Sequence, residues 1–181
     1  FLNEADYTHC LGQIRELSKE YKLAIHAYCL LPDGLHIIAT PLEDPSNLST
    51  FMKALSCRTS LRRKNLHGRR SVWEVRYRSS PVEPGQWLLA CMCYVERMPV
   101  RHGLASSAYH YHRSSYRMRL GKTDQYWLDD PEEYARLGDT IQERAEAYRV
   151  YMSNGLDQKE EKMIDTAVKR CKLTGSIRFV K

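Results

Sequence analysis

The chain has 181 residues, 43% hydrophobic and 28% charged, with a formal net charge of +6; this is globular composition, enough for one substantial domain or one domain with a tail. The basic excess favours a polyanionic partner, and no apolar run is long enough to span a bilayer, so a membrane partner is not expected. The first residues lack the basic-then-apolar pattern of a signal peptide, and the six cysteines, Cys10, Cys29, Cys57, Cys91, Cys93 and Cys171, form no Cys-x-x-Cys pair, so a disulfide framework is not expected and the chain reads as cytoplasmic.

Residues 4–21, "EADYTHCLGQIRELSKEY", place Tyr7, Leu11, Ile14 and Leu17 at helical spacing and predict an amphipathic helix. Residues 23–31, "LAIHAYCLL", are short, apolar and rich in strand formers; Pro32-Asp33-Gly34 is a turn signal, and residues 35–40, "LHIIAT", form a second strand. Two strands joined by so short a turn predict an antiparallel hairpin. Ser46 or Asn47 is the expected cap of the helix "LSTFMKALSCRTSLRRKNL". The alternating "VWEVRYRSSPVE" reads as a strand, broken at Pro84-Gly85, and "QWLLACMCYVERM" as an apolar-faced helix that Pro99 ends. "HGLASSAYHYHRSSYR" reads as loop, "DPEEYARLGDTIQERAEAYRVYM" as one or two helices, and Ser153-Asn154-Gly155 as a break before a last charged helix over 156–172. The order is that of an α+β sandwich with helices packed on an antiparallel sheet. A strand upstream of Phe1 is expected to complete a ferredoxin-like sheet.

Three stretches, "HAYCLLPDGLHIIATP", "VWEVRYRSSPVEPGQWLLACMCYVERMPVRHGL" and "HRSSYR", in this order, resemble the REP-associated tyrosine transposases, a branch of the single-tyrosine HUH transposases. The likeness runs from "FLNEADY" to "GSIRFVK". It implies a ferredoxin-like HUH endonuclease fold over 1–122 with a C-terminal helical extension over 123–181. It also implies action on single-stranded DNA near hairpins, with a divalent metal and a tyrosine nucleophile at Tyr94.

The chemistry of such a site follows from geometry. Histidines at i and i+2 on a strand face the same way and can hold a divalent cation. The cation polarises the scissile phosphate, and a tyrosine on a nearby helix attacks phosphorus and stays attached to it. A ligand one turn after the tyrosine shares its face. This chain departs from the pattern twice. The first histidine of the pair is Gly34, leaving His36 as a remnant metal ligand, and Met98 stands where the family places Asn. A thioether is a poor ligand for Mg²⁺ or Mn²⁺. Arg97, at i+3 from Tyr94, is the candidate substitute cation near the vacated site.

Other candidates read as structural. Asp33 is a turn residue, and Glu96, at i+2 from Tyr94, points away from it on a helix. His110-Tyr111-His112 lies in a loop and reads as non-catalytic. Cys91 and Cys93 diverge by roughly 200° on their helix and form no metal clip. The basic residues carry more weight. Arg58, Arg62, Arg63, Lys64, Arg69 and Arg70 form one cluster; Arg76 and Arg78 alternate near Trp73 and Tyr77; Arg113, Arg117, Arg119 and Lys122 lie among tyrosines. Cations interleaved with aromatics suit phosphates and unstacked bases. The expectation is a transposase-like protein that binds a DNA hairpin with a single-stranded flank, as a monomer or homodimer, with nicking lost and no resident cofactor. RNA is served by the same features. The alternative is an active nuclease using Tyr94 with Mg²⁺ or Mn²⁺.

Overall fold

The computed structural model describes residues 3–68, 73, 75–123 and 125–180. Its first element is α1 (Glu4–Glu20), capped by the Asn3 side chain, which accepts from the Asp6 amide at 3.0 Å. Tyr7, Cys10, Ile14 and Leu17 are its buried stripe, the spacing of one helical face. The chain then runs into β1 (Leu23–Leu31) and β2 (Gly34–Pro41), an antiparallel hairpin closed by Pro32 and Asp33. The hairpin read from the sequence is therefore present, with Asp33 in its turn.

All nine residues of β1 are buried, whereas β2 is half-exposed. A strand buried on both faces needs a helix layer on each. Leu23, Ile25, Tyr28 and Leu30 face a core built with α1 and with Phe51 and Leu55 of α2 (Ser46–His67). Ala27, Cys29 and Leu31 face α3 (Gln86–Arg101) on the other side. The switch of parity comes from a bulge between Ile25 and Ala27. His26 occupies it, with Nδ1 2.8 Å from the Asp129 carbonyl and Nε2 2.9 Å from Thr40 Oγ1.

Among the described residues the sheet has two strands. The outer edge of β1 is met instead by loop backbone. Leu30 N donates to the Arg113 carbonyl at 2.9 Å, and Ser115 N to the Tyr28 carbonyl at 3.0 Å. The expected strand in "VWEVRYRSSPVE" is not formed by its described residues, apart from a single parallel bridge from Val82 to Thr174. Residues 72 and 74 lie outside the described residues. Two side chains tie this segment to α2 instead of to a strand: Trp73 Nε1 donates to Thr59 Oγ1 at 2.9 Å, and the Tyr77 hydroxyl lies 3.0 Å from Ser49 Oγ.

Three boundaries also differ from expectation. Pro45 is the N-cap of α2 and makes no side-chain cap, where Ser46 or Asn47 was expected; Asp44, just before it, accepts from Ser46 N at 2.7 Å. Pro99 lies inside α3, which continues to Arg101. Proline removes one amide donor, but His102 N still closes the turn onto the Met98 carbonyl at 2.9 Å. The stretch read as loop contains a 3-10 turn (Ala108–His110) and a one-turn helix, α4 (Tyr116–Arg119).

The C-terminal part forms α5 (Glu132–Ala135), α6 (Ile141–Asn154), α7 (Gln158–Arg170) and α8 (Ile177–Val180). Capping boxes start two of them, Thr140 with Glu143 and Asp157 with Glu160. Tyr134, Tyr148 and Met152 pack against Leu89, Met92 and Cys93 of α3. The result is an α+β arrangement with the hairpin between two helical layers. Among the described residues no helix is long and apolar enough to cross a membrane.

Candidate functional site

The site is built from the face of the hairpin that α3 covers. His36 lies directly opposite Cys29 in the β ladder, so the two side chains share a face. Cys29 packs in one cluster with Tyr94 and Met98. His36 and Tyr94 therefore lie on the same side of the sheet. Gly34 belongs to this group too. A Cβ placed on it would lie 3.8 Å from His36 Nε2, and its φ is outside the left-handed region. Position 34 thus points where a paired ligand would stand, and it holds a residue with no side chain.

Tyr94 is 5% exposed and donates its hydroxyl to Asp165 Oδ1 of α7 at 3.2 Å. Asp165 is held in turn by Lys169 Nζ at 2.8 Å. Burial raises the Tyr94 pKa, against the opposing pull of the Arg101 guanidinium, which sits 4.4 Å over its ring. The phenol is therefore protonated at neutral pH. Arg101 also reaches Glu161 of α7, with Nε to Oε2 at 3.6 Å. Glu161, Asp165 and Lys169 form an i, i+4, i+8 row visible in the sequence as a charged stripe. Its target across 71 residues was not.

Arg97 does not fill the place expected of it. Its Nη1 donates to the Met152 carbonyl at 2.6 Å, and its guanidinium lies against Gly155 at the end of α6. Helix geometry gives the reason. A residue at i+3 stands about 60° off the Tyr94 direction, whereas Arg101 at i+7 is only about 20° off. The cation beside Tyr94 is Arg101.

Burial holds the His36 pKa below the usual histidine value; His102 and Arg101 push the same way, and Asp33 opposes them. A folded pKa below the unfolded one means that the fold favours neutral imidazole. Its contribution to stability is lost as pH falls below about 6.5. In an NMR titration His36 should give a midpoint below that of an unperturbed histidine, and Arg101→Gln should raise it. A midpoint at or above the unperturbed value would contradict this arrangement.

Glu96 points away from Tyr94, as read from the sequence, into a fully buried polar network. It accepts from the Ser115 hydroxyl and, at 2.8 Å, from the Tyr148 hydroxyl, and it faces Arg119 Nε at 3.8 Å. Arg119 itself is 0% exposed. It donates to the His26 carbonyl and, at 2.9 Å, to Asp130 Oδ1, and lies 4.3 Å over the Tyr134 ring. It is not available to a nucleic acid, contrary to expectation.

Two more of the expected phosphate contacts are engaged within the chain. Arg58 pairs with Glu16 and Glu20, each at 2.9 Å. Arg113 pairs with Glu4 and stacks 3.7 Å over the Tyr7 ring. Arg69 and Arg70 lie outside the described residues. Among the described residues Arg62, Arg63, Lys64, Arg76, Arg78, Arg117 and Lys122 form no ion pair. Arg76 lies 5.9 Å over Tyr77.

His110 and His112 are both exposed, flanking the buried Tyr111 at the end of the 3-10 turn. They do not share a strand face. All six cysteines are free, and burial pushes the thiols of Cys10, Cys29, Cys91 and Cys93 up to about 12. Among the described residues no group of three His, Cys, Asp or Glu side chains is placed to hold a metal ion. No family model, curated protein or solved structure matches the chain.

Proposed function

We propose that this chain is a transposase-derived nucleic-acid-binding protein of the REP-associated tyrosine transposase type, which holds a DNA hairpin with a single-stranded flank and has lost strand cleavage. The observation that carries the reading is the grouping of Gly34, His36, Tyr94 and Met98 on one face of the hairpin. These are the positions that the resemblance assigns to two metal-binding histidines, a nucleophile and a third ligand. Two of them hold residues unsuited to Mg²⁺ or Mn²⁺, and the cation Arg101 stands at the tyrosine ring.

The cations that form no ion pair among the described residues supply the binding side of the reading. Arg62, Arg63 and Lys64 stand on α2, and Arg76 and Arg78 on the segment that Trp73 and Tyr77 tie to it. Affinity for labelled hairpin DNA should fall steeply with salt, with a log–log slope of about −0.7 to −0.9 per phosphate contact. Reversing Arg62, Lys64 and Arg76 to Glu should flatten that slope. Reversing Arg119 should unfold the chain instead, because its charge lies in the core. Salt-insensitive binding, or none, would remove the nucleic-acid reading.

One observation favours the active-enzyme alternative: the Tyr94 hydroxyl already donates to a carboxylate, Asp165, which could receive its proton. Incubation with hairpin DNA and Mn²⁺ tests it. A covalent adduct lost in Tyr94→Phe would establish that alternative.

A further inference from the structure

The segment from Ala108 to Arg119 alternates between residues that anchor it and residues that it displays. Ala108, Tyr111, Ser114, Ser115, Tyr116 and Met118 are buried. Tyr111 donates its hydroxyl to the Leu30 carbonyl at 2.7 Å, and Ser115 Oγ accepts from Tyr28 N at 2.9 Å. Between these anchors Tyr109, His110 and His112 are exposed, and Arg117 is half-exposed.

The displayed side chains are ordered against one another. Arg117 lies 5.1 Å over the Tyr109 ring, and its Nη1 is 2.9 Å from His112 Nδ1 and 3.4 Å from His112 Nε2. The guanidinium is thus fixed against the Tyr109 ring and through Nη1 to the His112 ring, with no carboxylate partner among the described residues. The His110 ring meets Tyr109 edge-on, with centroids 5.7 Å apart, and His110 Nδ1 lies 2.9 Å from Ser107 Oγ. Tyr109 remains 39% exposed. None of these contacts is needed to close the core, because the anchors do that.

We infer that Tyr109 and Arg117, steadied by His112 and His110, form a stacking platform for an unpaired base of a single-stranded nucleic acid. An aromatic ring and a guanidinium plane both present a flat face to a base, and a fixed platform loses little side-chain freedom on binding. The position fits. Tyr111, two residues away, packs in the same cluster as Tyr94 and Met98, so the platform stands on the Tyr94 side of the sheet. This inference rests on the proposed nucleic-acid reading and adds where the single-stranded flank is held.

The test uses the full chain and two fluorescent hairpin probes, one with a thymidine flank and one with an abasic flank of the same length. Wild-type protein should bind the thymidine probe about tenfold more tightly. Tyr109→Leu should lose that advantage, bind the abasic probe like the wild type, and keep the same salt slope, because no phosphate contact is removed. Tyr109→Phe should retain the advantage, and Arg117→Lys, which keeps the charge but loses the plane, should reduce it. If Tyr109→Leu discriminates between the probes as well as the wild type does, the platform is refuted while the binding reading stands. If the wild type binds neither probe, both fall.

Discussion

Titrated with Mn²⁺, the wild-type chain should give no saturable heat, whereas a Gly34→His, Met98→Asn variant should bind in the micromolar range. The geometry makes the first substitution gentle, because position 34 has an ordinary φ and a Cβ there sits 3.8 Å from His36 Nε2. An imidazole added at that point faces the one already present. The second substitution is harder. Met98 is 6% exposed, and burying an amide there costs about 1–3 kcal/mol if it is left unpaired. The gain in metal affinity should still exceed about a hundredfold, or roughly 2.7 kcal/mol. Adding His36→Ala should abolish it, and adding Arg101→Gln should increase it further by removing a like charge. Micromolar Mn²⁺ binding by the wild type that disappears in His36→Ala would overturn the degenerate-site reading.

Arg119→Met should be among the most destabilising single changes in the chain. It leaves Glu96 buried without its cation, an arrangement that costs about 3–5 kcal/mol. For a chain of this length that is a fall in Tm of about 10 °C. Burial already raises the Glu96 pKa, with Arg119, Ser115 and Tyr148 pulling the other way. A carboxyl whose folded pKa lies above its unfolded value favours the fold at low pH, and that contribution is lost as pH rises. Removing Arg119 should push Glu96 higher still. The gap in Tm between wild type and Arg119→Met should therefore shrink at pH 4, where the orphaned carboxyl takes up a proton. Glu96→Gln combined with Arg119→Met should recover part of the loss at pH 7. A gap that stays constant from pH 4 to pH 7 would mean that this network does not behave as a charged buried pair.

Much of the framework was legible because burial imposes a period on each element. The stripe Tyr7, Ile14 and Leu17 marks α1, the Pro32-Asp33 turn between apolar runs marks the hairpin, and the apolar face around Tyr94 marks α3. The shared face of Gly34 and His36 follows from the two-residue repeat of a strand. Periodicity says less where the partner is missing. The alternation around Arg76 and Arg78 looks like a strand, yet a strand needs a neighbouring edge to pair with, and Trp73 and Tyr77 bind α2 instead.

By itself, then, the sequence determined the longer helices and the hairpin, because these depend on contacts only a few positions apart; the short turns of helix after Ser107 and the change of facing at the His26 bulge did not show in it. The tertiary structure decided which charges meet. Arg119 enters the core because Glu96, Asp130 and the His26 carbonyl converge there. The Arg97 side chain leaves α3 for the Met152 carbonyl because packing brings the end of α6 to it. Asp165 reaches the Tyr94 hydroxyl only because α7 folds back onto α3. A cation reads alike in sequence whether it ends in solvent or in the core; its place is set by acceptors that packing brings from distant segments, and no local period encodes them.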